Sequence, residues 1–204
     1  MGLSIHYRGT LTDKRQSAAL LCELEDIGKS MRWPTQVLDG HWDRRPDARL
    51  ERNSAGLPAL VGDSGLKGII LKVHQDCAPL YFCFSASGVL TSPIQVAVSA
   101  VDNYAVTPNW ITVHTQSAGP ETHAAIVSLL RYLQEKYFHD LEVEDESGYW
   151  ESRDYQDVLS EMARERSGNE ELARKAARLK RREQKDIVAR IDLLLRKMRD
   201  WEED

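Results

Sequence analysis

Between Trp110 and Trp150 the spacing of apolar residues changes period twice. Ile111 and Val113 alternate with Thr112 and His114, which predicts a strand with one buried face. Gly119-Pro120 turns the chain, Ser117, Pro120 and Glu121 supply start signals, and Ala125, Leu129, Tyr132, Leu133 and Lys136 fall at helical spacing. This predicts a helix from about Glu121 to His139. Leu141, Val143 and Asp145 then alternate with Glu142 and Glu144, a second strand. The opening follows the same plan. Ile5 and Tyr7 alternate with Ser4, His6 and Arg8; Ala18, Leu21, Leu24, Glu25 and Ile27 mark an amphipathic helix; Trp33-Pro34 ends it; and Thr35 to Asp39 resembles the later strand. The chain is thus expected to hold two similar strand-helix-strand units.

Between them, His41 to Gly65 is rich in Arg, Asp, Pro and Gly and is expected to be a long loop with one short strand at most. Strands follow at Lys67–His74 and Leu80–Phe84, separated by a turn at Asp76–Pro79, and Ser87-Gly88 closes a hairpin toward Val89. Ile94 to Val106 fits strand or helix, and Pro108 breaks it. Short turns between strands favour a mainly antiparallel sheet with the two helices on one face, an α+β architecture.

Beyond Trp150 the composition shifts, which divides the chain into an α+β domain over 1–150 and a helical extension over 151–204. Tyr155, Val158, Leu159 and Met162 fall at helical spacing, and Ser167-Gly168 interrupts. Asn169 with Glu170-Glu171 starts a long helix over about 169–202. Its apolar stripe runs Leu172, Ala176, Leu179, falters at Glu183, and resumes at Ile187, Ile191, Leu194, Met198 and Trp201. That resumed stripe is the expected partner-binding surface.

The 204 residues are 42% apolar, enough for a core, and no run approaches the roughly 18 to 20 apolar residues of a membrane span. No basic-then-apolar leader opens the chain, so no secretory signal is expected. Three cysteines, Cys22, Cys77 and Cys83, cannot all pair and lack CxxC spacing, which favours a reducing cytoplasm. Cys22, on the apolar side of the first helix, is expected to be a small buried hydrophobe. Net charge is −5, yet residues 172–199 carry 11 Lys and Arg against Glu183, Asp186 and Asp192.

The candidate chemistry is sparse. Gly28-Lys29-Ser30 matches only the end of a phosphate-binding loop: Glu23 stands where a glycine is required, and a helix precedes it where a strand should. Gly62-Asp63-Ser64-Gly65 matches the nucleophile tetrapeptide of chymotrypsin-like proteases over four residues alone, and a Gly-rich turn is the better reading. If Ile5, Ile69, Val73, Phe82 and Val113 face the helices, then His6, His74, Cys83 and His114 project from the opposite face. There they make a candidate ligand or zinc site, or ordinary tenants of an open polar face. The basic helix, with Arg178, Lys180, Arg181 and Arg182, offers phosphate contacts to nucleic acid, or else the solvated side of a helix docked on protein. Aromatic residues are not interleaved with these charges, which favours protein.

Gly2-Leu3-Ser4-Ile5-His6-Tyr7-Arg8-Gly9, with Lys136-Tyr137-Phe138, Val143, Asp145-Glu146 and Tyr149-Trp150-Glu151, resembles a group of uncharacterised bacterial proteins of about this length. The resemblance covers roughly the first 150 residues and implies a bacterial cytoplasmic setting, with no activity attached. The expectation is a non-enzymatic interaction protein, an accessory subunit of a larger assembly that needs no cofactor or metal. The alternatives are a small enzyme or ligand-binding domain on the histidine face, and a nucleic-acid-associated protein.

Overall fold

The computed structural model describes residues 3–11, 13–54, 58–102 and 110–166. In chain order these form β1 (Ser4–Arg8), a 3-10 turn (Lys14–Gln16), α1 (Ser17–Met31), β2 (Thr35–Asp39), β3 (Arg49–Arg52), β4 (Pro58–Val61), β5 (Lys67–Leu71), β6 (Leu80–Phe84), β7 (Leu90–Thr91), α2 (Pro93–Asp102), β8 (Ile111–His114), α3 (Pro120–Lys136), β9 (Glu142–Asp145), α4 (Tyr149–Ser152) and α5 (Tyr155–Arg166).

Local chemistry sets the boundaries. Arg32 takes the left-handed conformation at φ 59°, closing α1 with its N–H on the Gly28 and Lys29 carbonyls before Pro34 forbids continuation. Gly119 and Pro120 open α3 with Glu121 in its first turn. At the head of α2, the Ser92 hydroxyl accepts from the Gln95 N–H (3.2 Å) while Gln95 Oε1 accepts from the Ser92 N–H (2.9 Å). This reciprocal cap resolves the ambiguous Ile94 segment as helix.

The sheet is antiparallel throughout. β1 lies between β8 and β9, antiparallel to both, so β8 and β9 run parallel with α3 as their crossover. A second sheet has the order β2-β5-β6-β7. The chain just past β1 ties the two together: Thr10 bridges Val89, Leu11 donates its N–H to the Gly88 carbonyl (2.9 Å), and Leu90 donates to the Gly9 carbonyl (3.0 Å). The two strand-helix-strand units are both present, but their strands are used differently. β8 and β9 flank β1, whereas β2 forms the edge of the second sheet.

One core lies between these sheets and the helices. Ile5, Tyr7, Ile69, Leu71, Phe82, Phe84 and Val113 meet Leu20, Leu24 and Ile27 of α1 and Leu130 and Leu133 of α3, all buried. Val158 and Met162 of α5 belong to the same core. Burying each such side chain contributes about 1.5–3 kcal/mol. The helices are also joined by polar contacts: the buried Glu23 carboxylate on α1 accepts from the Tyr132 and Tyr137 hydroxyls and from Lys136 Nζ (3.1 Å). Burial, followed by the bond to Glu23, pushes the Tyr132 phenol up to about 12.

Three expectations change. Residues 41–65 hold two strands, β3 and β4, which pair with each other as a hairpin with both faces of β3 exposed. The strand expected over Lys67–His74 ends at Leu71. Cys22 is exposed, because α1 turns it away from the side that buries Leu20 and Leu24. A third helix was also left open by the sequence. Alternation along β5 and β6 sends Ile70, Tyr81 and Cys83 to the face away from α1, where they meet Val96 and Ala97 of α2, and α2 in turn packs on β3 and β4.

Candidate functional site

The four residues of the proposed ligand set do not converge. His6 and His114 share the outer face of the β8-β1-β9 sheet, set by the pairings His6↔Thr112 and Ser4↔His114. Each is engaged locally: His6 Nδ1 lies 2.9 Å from Thr112 Oγ1, and His114 Nδ1 lies 2.8 Å from Ser4 Oγ. His74 is in the turn after β5, where its Nδ1 accepts from the Asp76 N–H (3.2 Å). Cys83 is buried in the second sheet under α2, and burial pushes its thiol up to about 12, so it is a neutral, shielded group. The physical reason for the miss is the division of the strands between two sheets: alternation fixes a face but not which sheet carries it. Among the described residues no group of three His, Cys, Asp or Glu side chains is placed to hold a metal. Ile187, Ile191, Leu194, Met198 and Trp201, and likewise Arg178, Lys180, Arg181 and Arg182, lie outside the described residues.

A second constellation has the composition of a nucleophile, base and acid. His123 Nε2 lies 3.0 Å from Asp145 Oδ1 and 3.0 Å from Ser147 Oγ, and His123 Nδ1 lies 2.8 Å from Thr115 Oγ1. The side chains of His123 and Asp145 are fully buried, so no substrate reaches them. Asp145 is occupied with architecture: Oδ1 accepts the Ser147 N–H (2.9 Å), and Oδ2 accepts the Ser147 hydroxyl (2.9 Å) and the Trp150 N–H (2.9 Å), which fixes the β9–α4 turn. Burial alone would push its carboxyl up. The bonds from His123 and Ser147 outweigh it and hold the group below its ordinary range.

Among the described residues an accessible slot of about 720 Å³ lies between the second sheet and the layer made by α2 and the β3–β4 hairpin. This volume is within the usual range of binding clefts. Leu38, Ile70 and Tyr81 form its floor, Leu60, Pro93 and Ile94 its roof, and Asp39–His41 with Gly62–Ser64 its mouth. Two apolar residues of the roof are left in water: Ile94 is 50% exposed and Leu60 39%.

The slot opens along a sheet edge that is unpaired among the described residues. The Pro34 carbonyl accepts the Lys72 N–H (2.8 Å) and the Gly40 N–H donates to the Leu66 carbonyl (2.9 Å), so the even-numbered residues of this segment face β5. By alternation the N–H and C=O groups of Thr35, Val37 and Asp39 point the other way, and they bond to no described residue.

The mouth is rigid. Gly62 sits at φ +85°, and a Cβ there would stand 2.7 Å from the Asp47 carbonyl oxygen, so only glycine fits. The following Asp63 donates its N–H to Asp47 Oδ1 (2.6 Å), and its carbonyl accepts from the Asp47 and Ala48 N–H groups (2.9 and 3.0 Å). Its Oδ1 accepts the Gly65 N–H (2.7 Å) and its Oδ2 faces His41 Nδ1 at 3.2 Å. The Gly65 amide first, and then His41, hold this carboxyl below its ordinary range. The Gly62-Asp63-Ser64-Gly65 tetrapeptide is therefore a turn, as its composition suggests, and it presents a carboxylate rather than a nucleophile. The slot itself left no signal in the sequence beyond this turn and the Ser92–Gln95 cap.

The residues that carry the resemblance to the uncharacterised group lie on β1, the end of α3, β9 and α4, and include buried Ile5, Tyr7, Tyr137, Phe138 and Tyr149. No family model, no curated protein and no solved structure matches the chain.

Proposed function

We propose that this chain is a non-enzymatic interaction domain that takes an extended segment of a partner protein as an added strand on β2, with that segment's side chains entering the slot. The observation that supports this is the coincidence of a β2 edge unpaired among the described residues with exposed Leu60 and Ile94 at the slot. Exposed edges are usually blocked by charge, proline or a covering element, because unpaired main-chain groups beside apolar side chains attract other strands. β2 carries Val37 at its centre and only Asp39 as a charge. Strand addition draws affinity from main-chain bonds, worth about 0.5–1.5 kcal/mol each, and specificity from side-chain pockets. The stripe Ile187, Ile191, Leu194, Met198 and Trp201 supports the same class of function as a second contact.

Proline supplies the test. The Val37 N–H points away from β5, so Val37→Pro removes a partner-facing donor without removing a bond to β5. A random-peptide display library is panned on the full chain, and recovered peptides are titrated against wild type, Val37→Pro and Val37→Thr. The expected result is binding to wild type and Val37→Thr and at least tenfold weaker binding to Val37→Pro, roughly the loss of one or two main-chain bonds. Equal binding to all three would reject the edge.

A further inference from the structure

We infer that the segment accepted at β2 carries a lysine or arginine two residues from its slot-filling apolar residue, and that Asp63 is the group that selects it. This rests on the strand-addition reading above and names its partner by chemistry. Among the lining residues are two carboxylates, Asp39 and Asp63, and no lysine or arginine. Asp39 already has a cation, Lys67 Nζ at 3.3 Å. Asp63 has the His41 ring and the backbone amides of Gly65 and His41, and a carboxylate offers about four acceptor positions. Its side chain remains 45% exposed, and its main chain is fastened to Asp47 on both N–H and carbonyl. The charge is therefore held in place yet open to solvent, which favours recognition, since little ordering is left to lose on binding.

The spacing follows from strand geometry. Leu38 of β2 faces the slot together with Ile70 and Tyr81, so an added strand continues that floor with every second residue. One such residue meets Leu60 and Ile94, and the next on the same face reaches the mouth, where Asp63 stands. An acidic residue there would face the Asp63 carboxylate. A second copy of β2 would offer no cation, since Thr35–Asp39 contains none.

The probes are synthetic extended peptides of alternating Thr and Val, differing only in whether Lys, Gln or Glu occupies the mouth-facing position. Their binding is measured by fluorescence anisotropy on wild type, Asp63→Asn and Val37→Pro full chains. The expected order on wild type is Lys tighter than Gln tighter than Glu, with about threefold or more between Lys and Gln. Asp63→Asn, which can still accept the Gly65 amide, should bring Lys and Gln together. A salt series on wild type gives a reading that needs no variant: added salt should weaken the Lys peptide and leave the Gln peptide unchanged. Peptides that bind and fail on Val37→Pro, but show no preference among Lys, Gln and Glu or no effect of salt, overturn the role of Asp63 and leave strand addition standing. Absence of binding, or binding unaffected by Val37→Pro, overturns both. Sedimentation showing a dimer that Val37→Pro dissociates would assign the edge to a second copy and overturn the cation requirement.

Discussion

The Tyr7 hydroxyl, fully buried, accepts the Tyr81 N–H at 2.9 Å and donates to the Tyr81 carbonyl at 3.1 Å. β7 is two residues long and pairs only with Cys83 and Phe84, so it stops before Tyr81. A side chain from β1 completes the ladder that β7 leaves unfinished. Tyr7→Phe keeps the ring against Phe82 and leaves two part-buried backbone groups of Tyr81 without that partner. Each orphan costs about 1–3 kcal/mol, so denaturant unfolding should show a loss of at least about 2 kcal/mol, a large share of a small domain's stability.

Asp145 gives an acid-side prediction. Its carboxyl titrates lower in the folded chain than in the unfolded one, so its contribution is fully present above the ordinary carboxylate range and is lost as pH falls through the depressed folded value. Asp145→Asn should remove about 2–4 kcal/mol at neutral pH and flatten the acid limb of stability against pH. An acid limb as steep as that of wild type would show that other carboxylates carry it.

Thiol reactivity separates the three cysteines. Cys22 is exposed, whereas Cys77 and Cys83 are buried and pushed up to about 11 and about 12 by desolvation. A chromogenic disulfide at neutral pH should titrate Cys22 promptly in the native chain and all three thiols only in denaturant. Prompt reaction of Cys83 would mean that α2 does not cover the second sheet.

Truncation tests where folding information ends. Among the described residues the buried side chains of the core extend to Met162, and a chain ending at Arg166 is expected to unfold at the same urea midpoint as the full chain, within about 0.5 kcal/mol. Ending at Asp154 removes Val158, Leu159 and Met162 and should cost several kcal/mol, at about 2–5 kcal/mol per large buried side chain.

Much of the fold was legible because one-sided burial writes itself into period. β1 and β8 bury one face and show alternation; α1 buries a stripe and shows helical spacing. β3 was missed because it buries neither face, so Arg49–Arg52 has no apolar period to read. α2 was ambiguous because Ile94, Val96, Ala97 and Val98 are apolar all round, though only Val96 and Ala97 are buried. The Ser92–Gln95 cap was the signal that would have decided it. The slot was not legible as a whole, since it exists only where α2 and the hairpin lie across a sheet whose strands come from two separate parts of the chain. The histidine grouping failed for a related reason: His6 and Cys83 have the correct facing but belong to different sheets.

The position of β1 between β8 and β9 bears on how the chain is made. Ser4 pairs with His114 and Ile5 with Asp145, so β1 leaves a ribosome well before either of its neighbours. β5, β6 and β7 pair through short turns and can close early, while β1 must wait across loops whose closure is entropically slow. During that wait Leu3, Ile5 and Tyr7, fully buried in the finished molecule, stand in water. In the nascent chain β1 is therefore a stretch on which a holding chaperone would act, since it is made before β8 and β9 and is paired only after them.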